Sequence, residues 1–102
     1  PPYEYIALIR CHAQQASIAM QFLQHARQLA ENIVPSHTQL QYLGPFPATI
    51  EKRNNRYYYY LQIKAHKRSD LHTLLTPLCS TLEQQRAPKG LHWLVDVDPQ
   101  EL

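Results

Sequence analysis

Thr49-Ile50-Glu51-Lys52-Arg53-Asn54-Asn55-Arg56-Tyr57-Tyr58-Tyr59-Tyr60-Leu61-Gln62-Ile63-Lys64-Ala65 reads as two β-runs on either side of an asparagine pair. Asparagine tolerates positive φ better than most residues, so Asn54-Asn55 suits a two-residue hairpin turn. Strands are therefore predicted over Thr49–Arg53 and Arg56–Ala65. The second one alternates. Tyr57, Tyr59, Leu61, Ile63 and Ala65 share one side, and Tyr58, Tyr60, Gln62 and Lys64 share the other. A period of two with one strongly apolar phase belongs to a sheet covered on one face.

Upstream, Gly44-Pro45-Phe46-Pro47 places two prolines close together. Each removes a ladder donor and favours an extended turn. The stretch is expected to break the sheet, leaving Thr38–Leu43 as a separate strand. Before it, Ala19, Phe22, Leu23, Ala26, Ala30 and Ile33 recur at spacings of three and four. That spacing predicts a helix over Ala16–Ile33, stopped by Pro35. Tyr3–His12 is rich in Tyr, Ile and Leu and reads as a central strand.

Downstream, Leu71, Leu74, Leu75, Leu78 and Leu82 form a second helical stripe. Ser69 is the expected N-cap, and Pro77 falls inside the pattern, where it should kink the helix. Leu91–Val97 is the last strand, with Trp93, Val95 and Val97 on one side. The order is β-α-β-β-α-β, the middle β split around the prolines. Two β-α-β units joined by a hairpin predict an α+β, ferredoxin-like sandwich with two helices on one face of the sheet.

Length and composition agree with one domain over residues 1–102. A chain of this size buries roughly 60–70% of its unfolded surface, enough for a core without metals or staples. Its 44% hydrophobic and 18% charged residues are ordinary for a globular protein. No apolar run is long enough to span a bilayer, so no membrane partner is expected. No signal peptide is visible, and the opening at Pro1 without methionine reads as a fragment of a longer protein. Cys11 and Cys79 lie in apolar patterns and read as buried free thiols, which points to a reducing compartment.

The net charge of +2 is unevenly spread. Residues 50–68 hold Lys52, Arg53, Arg56, Lys64, Lys67 and Arg68 against Glu51 alone. Such a patch attracts polyanions, although a basic hairpin can also serve solubility alone. Lys52, Arg53 and Arg56 flank the turn, where long cationic side chains reach phosphates without disturbing the sheet. Tyr58 and Tyr60 point away from the apolar phase, so they offer stacking to unpaired bases or simply strand propensity. Lys64 shares that side. Lys67 and Arg68 stand at the junction with the second helix, where the plain reading is a solubilising pair.

Catalytic patterns are not found. Gly44 and Gly90 are the only glycines, so there is no phosphate-cradling loop. His12, His25, His37, His66, His72 and His92 show no metal-ligand spacing with either cysteine and read as surface or structural residues. Asp96 and Asp98 share a strand face, where they cap the strand end or meet solvent. No catalytic residue, metal site or cofactor is expected in this fragment.

Four elements in order carry a family resemblance: Pro1-Pro2-Tyr3, Gly44-Pro45-Phe46-Pro47-Ala48, Arg56-Tyr57, and Trp93-Leu94-Val95-Asp96-Val97-Asp98-Pro99. Together they resemble the C-terminal domain of primosomal protein N′, the replication-restart helicase PriA. The resemblance implies a fold similar to that of a small ribosomal-subunit protein. It implies a non-catalytic DNA-binding and partner-docking piece of an ATP-dependent 3′-to-5′ DNA helicase that recognises stalled forks and assembles the primosome. ATP, magnesium and zinc would belong to other parts of that parent. The implied partners are branched or single-stranded DNA, the C-terminal tail of the single-stranded DNA-binding protein, and the other domains of the helicase and primosome proteins. The implied location is the bacterial cytoplasm, associated with the nucleoid. Arg68, with Lys67 beside it, matches the basic position implied to receive the partner's acidic tail. A free-standing RNA-binding domain of ribosomal type is the alternative, and a small acyl-phosphate hydrolase a third.

Overall fold

The computed structural model describes residues 4–99, with the side chains of Asp98 and Pro99 left undescribed. Pro1, Pro2 and Tyr3, including the expected start of the first strand, lie outside the described residues, as do residues 100–102. The elements are β1 (Tyr5–Ala13), α1 (Ala16–Ile33), β2 (Leu40–Arg53), β3 (Arg56–Ala65), α2 (Arg68–Gln84) and β4 (His92–Pro99). The strands form one sheet in the order β2-β3-β1-β4, every neighbouring pair antiparallel. This is the ferredoxin-like α+β arrangement that the alternating strands and the two apolar helical stripes predicted.

Register explains which face the helices take. On the central strands, Ala7, Ile9, Cys11 and Ala13 of β1 oppose Ile63, Leu61, Tyr59 and Tyr57 of β3. These residues share one side, and all but the half-buried Tyr57 are buried. Onto them α1 lays Ala19, Phe22, Leu23, Ala26 and Ala30, and α2 lays Leu71, Leu74, Leu75, Leu78 and Leu82. Trp93 and Val95 of β4 join the same core half-buried, the Trp93 ring 6.1 Å from that of Phe22. Val97 lies on the same side, as expected, but is 53% exposed. It sits near the end of the edge strand, where only the first turns of α2 approach.

The proline stretch does not end the strand. β2 runs from Leu40 to Arg53, with its pairing to β3 shifted between Leu43 and Phe46 and again between Pro47 and Lys52. Being an edge strand, it can bulge and can lack donors without orphaning a neighbour. Gly44 has φ +103°, and a Cβ there would come to 3.0 Å from the Phe46 nitrogen, so glycine is required. The Gly44–Pro45 peptide is cis. Arg27 of α1 donates from Nη1 to the Gly44 carbonyl at 2.7 Å, which ties the irregular segment to the helix layer.

The turn is as predicted: Asn54 and Asn55 have φ of 54° and 62°, and Arg53 opposes Arg56. Helix α2 begins one residue before Ser69. Lys67 is its N-cap without a side-chain bond, and Asp70 supplies the acid in the first turn that favours the dipole. The helix continues through Pro77, which is exposed. Thr73, whose carbonyl loses its donor, is also exposed and can turn to water. Cys11 is buried as expected, but Cys79 is only half-buried.

Tyr42 joins the two layers at the edge. Its hydroxyl donates to the Val34 carbonyl at 2.6 Å, just past the end of α1, and burial pushes its pKa up to about 12. Replacing Tyr42 with Phe should cost about 1 kcal/mol, the usual worth of one such bond, with the fold retained. Urea unfolding measures this directly, and an unchanged midpoint would show that water replaces the bond.

Candidate nucleic-acid interface

With both helices on one side, the even-numbered residues of β1, β3 and β4 form the other face. Across its hairpin end runs a row of side chains from neighbouring strands. His12 of β1 opposes Tyr58 of β3 and His92 of β4. The ring centroids are 4.8 Å apart for His12 and Tyr58 and 5.1 Å for His12 and His92, with interplanar angles of 36° and 34°. The Arg53 guanidinium lies 4.8 Å from the Tyr58 ring centre. The separations match the spacing of adjacent strands, so pairing alone sets the row.

Arg56 anchors this end. It donates from Nε to His12 Nδ1 at 2.6 Å and from Nη2 to the Gly90 carbonyl. The β2–β3 hairpin is thereby fastened to β1 and to the loop before β4. The bond holds His12 as a neutral imidazole whose Nδ1 accepts. Burial first, then the Arg56 charge, lowers its pKa below the ordinary 6.5.

The other predicted residues are spread over the sheet. Lys52 opposes Tyr57 and so turns to the helix side at the hairpin tip, its Nζ 5.3 Å from the Tyr57 ring centre. Tyr60 packs against Phe46 across the bulged edge, the rings tilted by 57° with centroids 5.8 Å apart. Lys64 lies at the opposite end of β3, roughly 26 Å from Arg56 at strand rise, and pairs with Glu4 at 3.8 Å. Lys52 and Arg53 have no carboxylate within ion-pair distance among the described residues, nor do Lys67 and Arg68. Thus Arg53 and Tyr58 come together on the open face, while Lys52, Tyr60 and Lys64 stand apart from them.

Sequence reasoning missed His12, His92 and Arg10. Arg10 lies on the open face and pairs diagonally with Asp96 at 3.4 Å, both about half-exposed. That contact gives Asp96 the role that sequence left blank, a surface cross-strand pair. The only signal for the histidines was their even position in predicted strands, and it required knowing which strands pair. Tyr59 donates its hydroxyl to Glu51, and that bond, with burial, raises its pKa to about 12.

Arg68 and Lys67 occupy the far end from the hairpin. The Arg68 guanidinium lies 5.4 Å from the Tyr5 ring centre. Beside it Leu71, His72, Leu75 and Val97 line a hollow of about 370 Å³. A cation at the rim of an apolar hollow suits a chain end that is both acidic and apolar. Among the described residues no three His, Cys, Asp or Glu side chains group to hold a metal ion, and no helix is long and apolar enough to cross a membrane.

Comparison with known proteins adds two kinds of likeness. The family model described as the primosomal protein N C-terminal domain matches residues 1–100. Among solved structures, a de novo designed protein, Foldit4, superposes with a TM-score of 0.65 at 11% identity, covering 96% of this chain and 99% of that one. A hydantoinase/carbamoylase family amidase from Burkholderia ambifaria superposes with a TM-score of 0.56 at 11% identity, over 93% of this chain but 27% of the amidase. At that identity the two structures speak for the fold alone.

The His12–Arg56 contact has a pH sign. A histidine whose folded pKa is lowered favours folding where it is neutral. Its contribution is present above 6.5 and is lost as pH falls through the lower folded value. The thermal midpoint should therefore fall between about pH 7 and about pH 5. His12→Asn keeps an acceptor for Arg56 but cannot take up a proton, so it should flatten that decline. Melting curves at several pH values test this, and an identical decline in the variant would remove His12 as its source.

Proposed function

Because the chain belongs to the primosomal protein N C-terminal domain family, we propose that it is the non-catalytic DNA-gripping and partner-docking module of a replication-restart helicase. The parent would be ATP-dependent, moving 3′ to 5′ at stalled forks, with ATP, magnesium and zinc held by its other domains. It would work in the bacterial cytoplasm at the nucleoid. The observation that carries the DNA reading is Arg53, an unneutralised guanidinium stacked on Tyr58 at the hairpin end of a helix-free sheet face. Lys52 adds charge at the turn, whereas Arg56 is engaged by His12 and Gly90 and serves chiefly to hold the hairpin. Tyr60 and Lys64 extend the same face toward its far end.

Partner docking falls at that far end. Arg68, helped by Lys67, offers a planar fork to a carboxylate, and the neighbouring hollow takes the apolar end of the single-stranded DNA-binding protein's tail. Separating DNA and tail to opposite ends of the sheet lets both bind at once.

Two experiments test these assignments. Lysine and arginine side chains that neutralise phosphates release counterions. Lys52→Ala with Arg53→Ala should therefore weaken fork-DNA binding and flatten its salt slope, by about 0.7 for each phosphate left unneutralised on single strands. Parental affinity and slope would reduce the hairpin charge to a solubility feature, and a preference for duplex RNA over fork DNA would favour the ribosomal-type alternative. Separately, Arg68→Ala should weaken capture of the tail peptide roughly tenfold to hundredfold, the worth of a well-made charge-assisted pair. Unchanged fluorescence anisotropy with the variant folded would leave Arg68 a solvated surface residue.

A further inference from the structure

The row Arg53, Tyr58, His12, His92 crosses all four strands and ends at the sheet edge. β2 supplies the guanidinium, β3 and β1 the middle rings, and β4 the last imidazole. Each inner ring has a neighbour on both sides. His92 is exposed and, among the described residues, has a ring partner only in His12. Arg10, His12, Arg53, Tyr58, His92 and Leu94 line one hollow of about 340 Å³ over this row. Leu94, 55% exposed, adds an apolar surface to the lining.

We propose that this hollow is a nucleobase site, in which one unpaired base of single-stranded DNA stacks against His92 and the adjoining His12 while a phosphate further along the same strand meets Arg53. The inference rests on the DNA-binding reading and deepens it by adding residues with no assigned role. Three observations favour a base over an apolar protein segment. The walls are π-faced or guanidinium surfaces, which stack on any base. Arg53 brings a positive charge with no carboxylate beside it among the described residues, which complements a phosphodiester and not an apolar surface. Arg56 donates to His12 Nδ1, which leaves the proton of the neutral ring on Nε2, a donor available to base acceptors.

The hollow also implies a selectivity. Bases in a duplex are stacked on each other and cannot enter, so the site rewards single-stranded arms and gaps. His12 is held by Arg56 and arrives preorganised, whereas His92 is free to adjust.

Binding of the 102-residue chain to an oligothymidine, and to a strand of equal length and charge built of abasic sites, tests the proposal by fluorescence anisotropy. The oligothymidine should bind about fivefold or more tightly than the abasic strand, the usual worth of one stacked base. His92→Ala should remove most of that difference, and His92→Phe should keep it, since phenylalanine retains the stacking face. The abasic strand should bind all three proteins alike. Circular dichroism on each variant confirms the fold, and because His92 is exposed its loss leaves the core intact. If both strands bind the parent equally, the grip is purely electrostatic: the base site is overturned and the DNA-binding reading survives. If neither strand binds, both fail. If His92→Ala keeps the full preference, the base is read elsewhere and this site is wrong.

Discussion

Everything in this structure depends on the register between β1 and β3. Antiparallel pairing of Ala7, Ile9 and Cys11 with Ile63, Leu61 and Tyr59 puts the apolar phases of both central strands on one side. A slip of one residue would turn every one of them to the opposite face. Two leucine- and alanine-rich helices are enough to cover that single apolar face. The Asn54-Asn55 turn closes the β2–β3 hairpin with Arg53 opposite Arg56, which sets the register of that edge pair at its tip.

The opposite face follows as a remainder. No helix of the described residues covers it, and its side chains meet one another across strands. Some of its charge is neutralised locally, Arg10 by Asp96 and Lys64 by Glu4. Some is used structurally, as with Arg56 on His12 and Gly90. What is left on this face for a polyanion is Arg53 at the hairpin, with Lys52 beside it on the helix side of the tip. The apolar exposure on and beside this face, Phe46 at 41%, Leu94 at 55% and Ile50 at 61%, is interleaved with rings and guanidinium groups. Such mixing of guanidinium, aromatic and aliphatic surface fits a strand of nucleotides better than a packed protein interface.

Much of the fold was legible because it is written in local periodicities. Helix α1 runs from Ala16 to Ile33 as its spacing predicted, and the leucine stripe of α2 is buried in full. The proline stretch misled because proline's penalty depends on whether its strand is central or at an edge, and no local pattern says which. Ser69 misled because capping preferences decide helix starts only within a residue or two. The site was less legible, for a related reason. Lys52, Arg53 and Arg56 are equivalent in sequence, but pairing sends Lys52 to one face and Arg53 to the other and spends Arg56 on a neighbour. His12 and His92 are 80 positions apart in the chain and adjacent in the sheet. Long-range pairing, which composition and periodicity do not encode, created that part of the site.

On the proposed reading, the helix-free face is where this domain meets nucleic acid. Backbone amide shifts of the isotope-labelled chain, followed by nuclear magnetic resonance while a short single-stranded DNA is added, test it most directly. The largest changes should gather at Arg10, His12, Arg53, Tyr58 and His92, with the outer surfaces of α1 and α2 unmoved. Changes confined to the helices, with those five residues silent, would contradict it.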